Sequence, residues 1–363
     1  MPKEQDHNLL QLDGGINEGE KASKIQDNEC QRIRNWYPFD TSLKTRKGVL
    51  KLTDAAFTEN LTSLFAYRPK VGDWVLICGG LTQFGKLDGT GITALPFVGR
   101  TAYTSSTKPW SFVQLKNVAY AARVNAGSVQ RLDGAVVMDA GIPKPTTALT
   151  ATDNGTAGSL AAGDYIYVVT FGNSATAAES DFGPASTAET VAANKRVDLT
   201  SIPVSSNGQV NERLIYRTTA GQSGEYFLVG TISDNTATTF TDNSHDDDIG
   251  ARASLDNGMP PGGILSCASW GERLWLQDGE QVYFSRAGRP ESFSADFSIP
   301  ILQSDGHKIR GMLGQRDRLI VGKTNKIHFI SGDSEQNYAR HVLSDRYGLF
   351  AGHSLASVAG AIF

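Results

Sequence analysis

The sequence has few of the residues from which disulfide-stabilised proteins and metal sites are built. Three cysteines, Cys30, Cys78 and Cys267, are spread over 363 residues, and no two of them form a C-x-x-C pair. An odd and widely spaced set predicts neither a disulfide framework nor a zinc site, so we expect three small buried side chains. The histidines never occur at H-x-x-x-H or H-x-H spacing, so a zinc catalyst has no recognisable ligand set. They are His7, His245, His307, His328, His341 and His353. We therefore expect no metal and no other cofactor.

Long apolar runs are also missing. The longest, such as residues 74–78 and 165–169, extend over a few residues, whereas a helix that crosses a bilayer needs about 20. The N-terminal residues 1–8 are polar and lack the apolar core and cleavage site of a signal peptide. The sequence therefore predicts no membrane-spanning segment and no export by that route.

Charge is moderate in amount and unevenly distributed. Apolar residues make up 40% of the chain and charged residues 20%, which are the proportions of a folded globular protein. Residues 143–261 hold 6 Lys+Arg and 14 Asp+Glu, a net charge of −8, which leaves +4 for the rest of a chain whose net charge is −4. Neither part has the concentrated basic patch that tight nucleic-acid binding needs, although a weak or sliding contact with DNA stays possible.

From Leu50 onward the sequence is a series of short apolar or alternating runs. These runs are rich in Val, Ile, Thr and aromatic residues, and Gly, Asn or Asp ends each of them, which predicts an all-β protein. Four stretches repeat one plan of an apolar strand, a turn and a second strand; they begin near Leu64, Trp110, Ile264 and Ile309. Spacings of about 45 residues with three or four strands each are typical of β-propeller blades. An irregular β-sandwich with accidental self-similarity is the alternative.

Residues 143–261 interrupt this series with a composition dominated by Ala, Thr, Ser, Gly and Asp, between prolines at both ends. About seven strand candidates in roughly 100 residues predict an immunoglobulin-like or fibronectin type III-like sandwich, and the missing Cys…Trp…Cys core excludes the antibody variant. The candidates are residues 148–152, 164–171, 188–191, 196–202, 211–218, 226–233 and 238–241.

The predicted domains are therefore an N-terminal arm at 1–50, propeller-like blades at 51–142, the inserted sandwich at 143–261 and further blades at 262–363. Within the arm, Asp27 or Asn28 is placed to cap one short helical turn. We expect the last blade to be incomplete at the C-terminus. A blade-like strand begins at Ser354, and a strand that stops at Phe363 leaves an edge to be paired by further residues or by a neighbouring chain.

One segment imitates a nucleotide-binding loop. Gly80-Leu-Thr-Gln-Phe-Gly85-Lys86 satisfies the first seven positions of a P-loop and follows a predicted strand. The eighth position is Leu87, where Ser or Thr is needed to hold Mg²⁺, and a turn at 88–91 stands where the phosphate-binding helix belongs. We therefore predict a β-hairpin at this position and no nucleotide binding.

Other chemical motifs are equally weak. Asp242 and His245-Asp-Asp-Asp248 place four carboxylates within seven residues, but the spacing lacks the glycine of an EF-hand and favours a solvated inter-domain loop over a Ca²⁺ site. His328, in a strand between Ile327 and Phe329 and on the opposite face, is expected to be structural. No G-x-S-x-G nucleophile elbow occurs, and a glycosidase carboxylate pair is not recognisable from sequence spacing. We predict no catalytic residues and a protein that is not an enzyme.

Several segments become informative as a set. They are Leu12-Asp-Gly-Gly-Ile-Asn17, Ile25-Gln-Asp-Asn-Glu29, Asn35-Trp36, Arg46-Lys-Gly48, Val282-Tyr-Phe-Ser285, Gly288-Arg-Pro-Glu-Ser-Phe293 and the final run from Ser354. Together they resemble the nozzle or tail-tube proteins of short-tailed bacteriophages, in which an arm precedes a β-propeller. In that family a blade strand ending in Ser precedes a Pro-Glu-aromatic turn.

This resemblance implies a structural virion protein in the phage tail, assembled in the host cytoplasm. Such proteins form a ring, usually of six copies, beneath the portal and adaptor, and the genome leaves through its channel. The implied partners are further copies of the chain, the portal or adaptor, tail fibre or tail-tip proteins, and genomic DNA in transit. Arg46 and Lys47 then belong to the arm, and the inserted sandwich faces outward. The alternative is a glycan-binding adhesin or a propeller-type glycoside hydrolase, which stacked Trp or Tyr beside paired carboxylates would favour.

Overall fold

A computed structural model of the chain describes residues 57–88, 91–99, 103–254, 257–302, 305–353 and 355–356 in full. It also gives the strand backbone at 15–16, 29–30, 36–39, 42–45, 357–358 and 361–362. The chain divides into two compact units, Met1–Asp54 and Ala55–Phe363. Across these described parts the protein is all-β, as predicted, with strands β1 to β33 and a 3-10 turn at Asp246–Asp248. None of its described helical segments has the length and apolarity to cross a membrane.

Two strand pairs are described in the first unit. Strand β1 (Gly15–Ile16) pairs in parallel with β2 (Glu29–Cys30), and β3 (Trp36–Phe39) pairs with β4 (Ser42–Thr45) in an antiparallel hairpin. The helical turn predicted after Asp27 is therefore wrong for Glu29 and Cys30, which form strand β2. A single capped turn is marginal by itself, and pairing with a second strand satisfies the backbone better. The side chains of Cys30, Arg46 and Lys47 lie outside the described residues.

The second unit opens with two sheets whose strands follow one another in sequence order. Sheet I contains β5 (Ser63–Tyr67), β6 (Val75–Gly79), β7 (Phe84–Asp88) and β8 (Gly91–Ala94). Sheet II contains β10 (Ser111–Leu115), β11 (Val118–Ala122), β12 (Gln130–Leu132) and β13 (Val137–Asp139), and β9 (Phe97–Val98) joins β13 in parallel. All other pairings in these two sheets are antiparallel.

Strands β14 to β23 form separate sheets between residues 150 and 242. One sheet contains β14 (Thr150–Thr152), β20 (Val197–Thr200) and β23 (Phe240–Asp242), and β16 (Gly163–Tyr165) pairs with β19 (Glu189–Val191). Another has the order β18 (Ala178–Glu179), β17 (Tyr167–Asn173), β21 (Glu212–Arg217) and β22 (Phe227–Ile232), while β15 (Ala157–Leu160) makes isolated bridges. Each of the seven sequence candidates overlaps a strand. The candidate at 164–171 is split because β16 and β17 pair with different partners.

Two further sheets repeat the arrangement of the first two. Sheet III contains β24 (Ser266–Trp270), β25 (Arg273–Gln277), β26 (Gln281–Phe284) and β27 (Ser298–Pro300). Sheet IV contains β28 (Ile309–Gly314), β29 (Leu319–Lys323), β30 (Ile327–Ser331) and β31 (Ala339–Ser344). The last described strands, β32 (Ser357–Val358) and β33 (Ala361–Ile362), form a hairpin.

Alternation along the middle strands explains how the four sheets stack. Successive side chains of a strand point to opposite faces of its sheet. In β11, Ala119 and Ala121 therefore pack in the core shared with sheet I, whereas Tyr120 and Ala122 pack in the core shared with sheet III. In β25, Leu274 faces that second core, and Trp275 faces the third one, between sheets III and IV. The continuous apolar runs of these strands thus reflect burial on both faces.

The first strands of the four sheets lie side by side. Strand β5 contacts β10, β10 contacts β24, and β24 contacts β28. The approach of the last two is very close: a Cβ at Gly314 would lie 2.0 Å from the carbonyl oxygen of Ser269. Only glycine fits at this position, so Gly314 is what allows sheets III and IV to approach each other this closely.

Candidate functional site

The first strands of all four sheets enclose a cavity of about 330 Å³. Its walls come from β5, β10, β24 and β28, and Gly352, His353 and Leu355 contribute the remaining side. Side chains at this position include Phe65, Trp110, Cys267, Met312 and His353. None of the described residues that line this cavity is Lys, Arg, Asp or Glu.

Neither titratable side chain of this cavity has a pKa shifted towards its charged form. Burial raises the pKa of the Cys267 thiol to about 12, and burial lowers the pKa of His353. Ser111 ties the neighbouring strands together, since its hydroxyl lies 3.1 Å from the amide nitrogen of Cys267 and 3.3 Å from its carbonyl oxygen. The cavity thus has neither an activated thiol nor a charge that would hold a phosphate.

A second recurring feature links each sheet to the one before it. The link comes from the connection between the third and fourth strands of a sheet. In sheet III this connection supplies Glu291, whose Oε1 lies 2.8 Å from Arg131 Nε and accepts from the Tyr120 hydroxyl at 3.1 Å, both in sheet II. Its Oε2 accepts from the amide of Gly141 at 2.9 Å. Glu291 is thus bound by three groups that precede sheet III in the chain.

The connection between the third and fourth strands also makes a link at the other two sheet boundaries. In sheet IV the corresponding connection supplies Glu335, whose Oε1 lies 2.7 Å from Nη2 of the buried Arg273 in sheet III. A backbone hydrogen bond and the Arg273 contact lower the pKa of Glu335, which keeps it ionised. In sheet II the connection supplies the carbonyl of Asp133, which lies 3.2 Å from the Tyr67 hydroxyl of sheet I, and that hydroxyl also donates to the closer carbonyl of Asn117. Sheets III and IV are therefore each fastened to the preceding sheet by a carboxylate and a buried arginine, whereas sheet II uses neutral hydrogen bonds.

The two outermost sheets expose apolar side chains. On the hairpin of β5 and β6, Leu64 is 60% exposed and Trp74 is 64% exposed, with Arg68 above the Trp74 ring at 5.7 Å. On sheet IV, all but one of the residues of β31 are exposed, and Phe350, in the segment that follows, is 93% exposed. Further members of the two patches are Val71 on the first and Val342, Leu343 and Tyr347 on the second. We call these the sheet I patch and the sheet IV patch.

The imitation P-loop has the opposite polarity to a phosphate site. Residues 80–83 are a tight turn between β6 and β7, closed by a hydrogen bond from the Gly80 amide to the Gln83 carbonyl at 2.9 Å. The carbonyl oxygens of Gly80 and Leu81 accept hydrogen bonds from the buried guanidinium of Arg123 at 3.2 and 3.0 Å. Carbonyl oxygens repel phosphate, and Lys86 lies within β7. The predicted hairpin is confirmed.

The acidic cluster at 242–248 is only partly the solvated loop expected from the sequence. Asp242 is fully buried and accepts from Arg217 Nε at 2.8 Å and from the Tyr167 hydroxyl at 2.9 Å. Asp246 contacts Arg217 Nη1 at 2.5 Å, whereas Asp247 is exposed. The solvated loop was therefore wrong for Asp242 and Asp246, which neutralise a buried arginine. Within the described residues, no group of three or more His, Cys, Asp or Glu is placed to hold a metal ion.

Three of the remaining candidates, Cys78, Cys267 and His328, are buried. Cys78 and Cys267 are free and buried, as predicted. His328 is fully buried and shares a face of β30 with Ile330, opposite the half-buried Ile327 and Phe329. Sequence reasoning missed the buried arginines Arg123, Arg131, Arg213, Arg217 and Arg273. The available signal was an arginine next to a continuous apolar run, as in Arg213-Leu-Ile-Tyr-Arg217.

Comparison with known proteins gives no family assignment. No family model matches the sequence, and the search of curated proteins found no match.

Proposed function

We propose that the chain is a structural component of a phage tail, a nozzle or tail-tube protein that assembles into a ring-shaped conduit. The observation that carries the proposal is the open series of sheets I to IV, each fastened to its predecessor, with an exposed apolar patch at either end. In this proposal the sheets are β-propeller blades, and residues 143–261 are an inserted fibronectin type III-like sandwich.

The geometry of the patches supports assembly of identical copies. The sheet I patch and the sheet IV patch are different surfaces, so a contact between them is heterologous and joins copies head to tail. Such a contact generates a ring when the rotation closes, and the family resemblance favours six copies. Aromatic residues such as Trp74 and Tyr347 are enriched at protein interfaces because they bury a large area at low entropic cost.

The charge distribution supports a conduit for DNA over a DNA-binding protein. Tight binding requires clustered Lys and Arg that neutralise phosphates, and the sequence has no such cluster. Weak contact suits a channel through which a genome passes during ejection, because tight phosphate binding would retard it. The portal or adaptor above the ring and the tail fibre or tail-tip proteins below it are the proposed partners, with the virion tail as the location.

The experiment is a measurement of assembly by light scattering and negative-stain microscopy. We expect closed rings from the unmodified chain, and loss of rings when Trp74→Lys or Phe350→Lys places a charge in either patch. Val204→Lys is the matched control, because Val204 is 48% exposed but lies in neither patch. A monomer at all concentrations, or rings that survive both patch substitutions, would refute the proposal.

A further inference from the structure

A second cavity lies where residues 176–179, which belong to the segment 143–261, meet sheets II and III. Its volume is about 390 Å³, within the range of small-molecule sites. Sheet II contributes Lys116 and Tyr120, and the connection between β26 and β27 contributes Arg289 and Glu291. It shares no lining residue with the cavity of the first strands and none with either apolar patch.

Asn257 is the unusual group in this cavity. The residue is 2% exposed, and neither its amide nitrogen nor its amide oxygen has a hydrogen-bond partner. A buried amide left unpaired costs about 1–3 kcal/mol, and such groups in folded proteins call for a physical reason. Both amide atoms are closed off from water, so the unpaired amide is a cost of the packing beside the cavity and is not itself a group that a bound molecule reaches.

Two carboxylates in the wall are already fixed in position. Glu179 accepts from the hydroxyls of Thr170 and Tyr216, each at 2.7 Å, and Glu291 is held by Arg131 and Tyr120. Each carboxylate has further acceptor capacity, since its two oxygens together offer about four lone-pair positions. Preorganised acceptors of this kind suit the hydroxyl groups of a sugar.

Two cations complete the cavity. The side chain of Arg289 is exposed and has no hydrogen bond or ion pair with the residues that the structure describes. Lys116 is also exposed and donates one hydrogen bond, at 3.1 Å, to the Gly288 carbonyl, which leaves it two further donors. A guanidinium without a partner is well suited to a planar carboxylate or a sulfate group.

We propose that this cavity binds an acidic saccharide unit, with its hydroxyls on the carboxylates of Glu179 and Glu291 and its anionic group on Arg289 and Lys116. The lining favours this class over others. Tyr120 is 1% exposed and offers no free face on which a nucleotide base could stack, and the charged side chains in the wall do not suit an apolar ligand. The proposal does not depend on ring formation, because every lining residue comes from one chain.

The test is calorimetric titration of the full chain with D-glucuronic acid and N-acetylneuraminic acid, with glucose and inorganic sulfate as comparators. We expect at least one acidic sugar to bind at least about tenfold more tightly than either comparator, a difference of about 1.4 kcal/mol. Arg289→Ala should weaken that binding by about tenfold or more, which is the scale of a charge-assisted hydrogen bond.

Lys144→Ala is the matched control, since Lys144 is an exposed cation outside the cavity. It should leave the affinity unchanged, and circular dichroism should show that Arg289→Ala, a surface substitution, keeps the fold. Equal binding of sulfate would overturn the saccharide assignment, and equal binding of glucose would overturn its acidic character. Failure of both acidic sugars to bind, or an unchanged affinity in Arg289→Ala, would overturn the site itself.

Discussion

Removing the carboxylate of Glu291 should weaken the packing of sheet II against sheet III. The side chains of Glu291 and Arg131 are 13% and 8% exposed, so their charges are largely removed from water. Taking away one member of a buried pair costs about 3–5 kcal/mol, because the remaining charge stays buried without compensation. We therefore expect Glu291→Ala to lose about that much unfolding free energy. Glu291→Gln should lose less, about 1–3 kcal/mol, since its amide oxygen still accepts from Gly141.

Tryptophan fluorescence during urea unfolding is the appropriate measurement. The five tryptophans all lie outside residues 143–261, so the signal does not report on that segment. The matched control is Glu225→Ala, which removes an ion pair with Arg252 at 3.0 Å whose side chains are 56% and 53% exposed. Exposed pairs contribute about 0–1 kcal/mol, so this variant should unfold almost as the unmodified chain does.

A double-mutant cycle with Arg131→Met isolates the pair itself. Residues in direct contact show interaction energies of about 0.5–3 kcal/mol, and this pair should fall in the upper half of that range. The Nε of Arg131 approaches Glu291 off the direction of its N–H bond, so the attraction is mainly between charges. A coupling energy near zero, or equal losses in Glu291→Ala and Glu225→Ala, would show that the repeated link does not hold the sheets together.

Three further outcomes are expected. Residues 143–261 expressed alone should melt cooperatively by circular dichroism, and Arg217→Met should destabilise them by about 3–5 kcal/mol because Asp242 loses its buried partner; a segment that stays unfolded would contradict the domain boundary. Burial, and then the charges of Arg340 and Lys323, lower the pKa of His328 below its ordinary 6.5, so the folded state keeps the ring neutral. The contribution of the neutral His328 to stability should therefore be fully present above about pH 6.5 and be lost as the pH falls below it. Between pH 7.5 and 5.5 the urea midpoint of His328→Leu should change less than that of the unmodified chain. Lys86→Ala should leave nucleotide turnover at background, as in the unmodified chain. If the unmodified chain hydrolysed ATP and Lys86→Ala abolished this activity, the prediction of no nucleotide binding would be wrong.

The strands were predictable from the sequence because their signal is local. Residues 118–122 and 273–277 are short apolar runs between turns, and such runs are typical of strands buried on both faces. The hairpin at 80–83 was predictable for the same reason, since one missing hydroxyl and one missing helix exclude the P-loop. Strand pairing partners were harder to predict. The run at 164–171 gave no sign that its two halves belong to different sheets.

The partners of the buried charges were not predictable: an arginine next to an apolar run hints at burial, but the sequence does not show which acidic residue neutralises it. Arg273 and Glu335 are 62 residues apart, and they meet only after sheet III has packed against sheet IV. Asp242 and Asp246 looked like a solvated acidic loop because Arg217, which neutralises both, lies in another strand. The information for these sites is therefore in the packing of whole sheets.

The Pro-Glu-aromatic turn at 288–293 shows how a repeat can be degenerate in sequence and constant in structure. Its Glu291 binds Arg131 of the preceding sheet, and its Phe293 packs in the core between sheets II and III. Sheet IV achieves the same link with Glu335, in a connection that has no such turn sequence. What each boundary requires is a hydrogen-bonding group in the connection between the third and fourth strands that reaches a buried partner in the sheet before it.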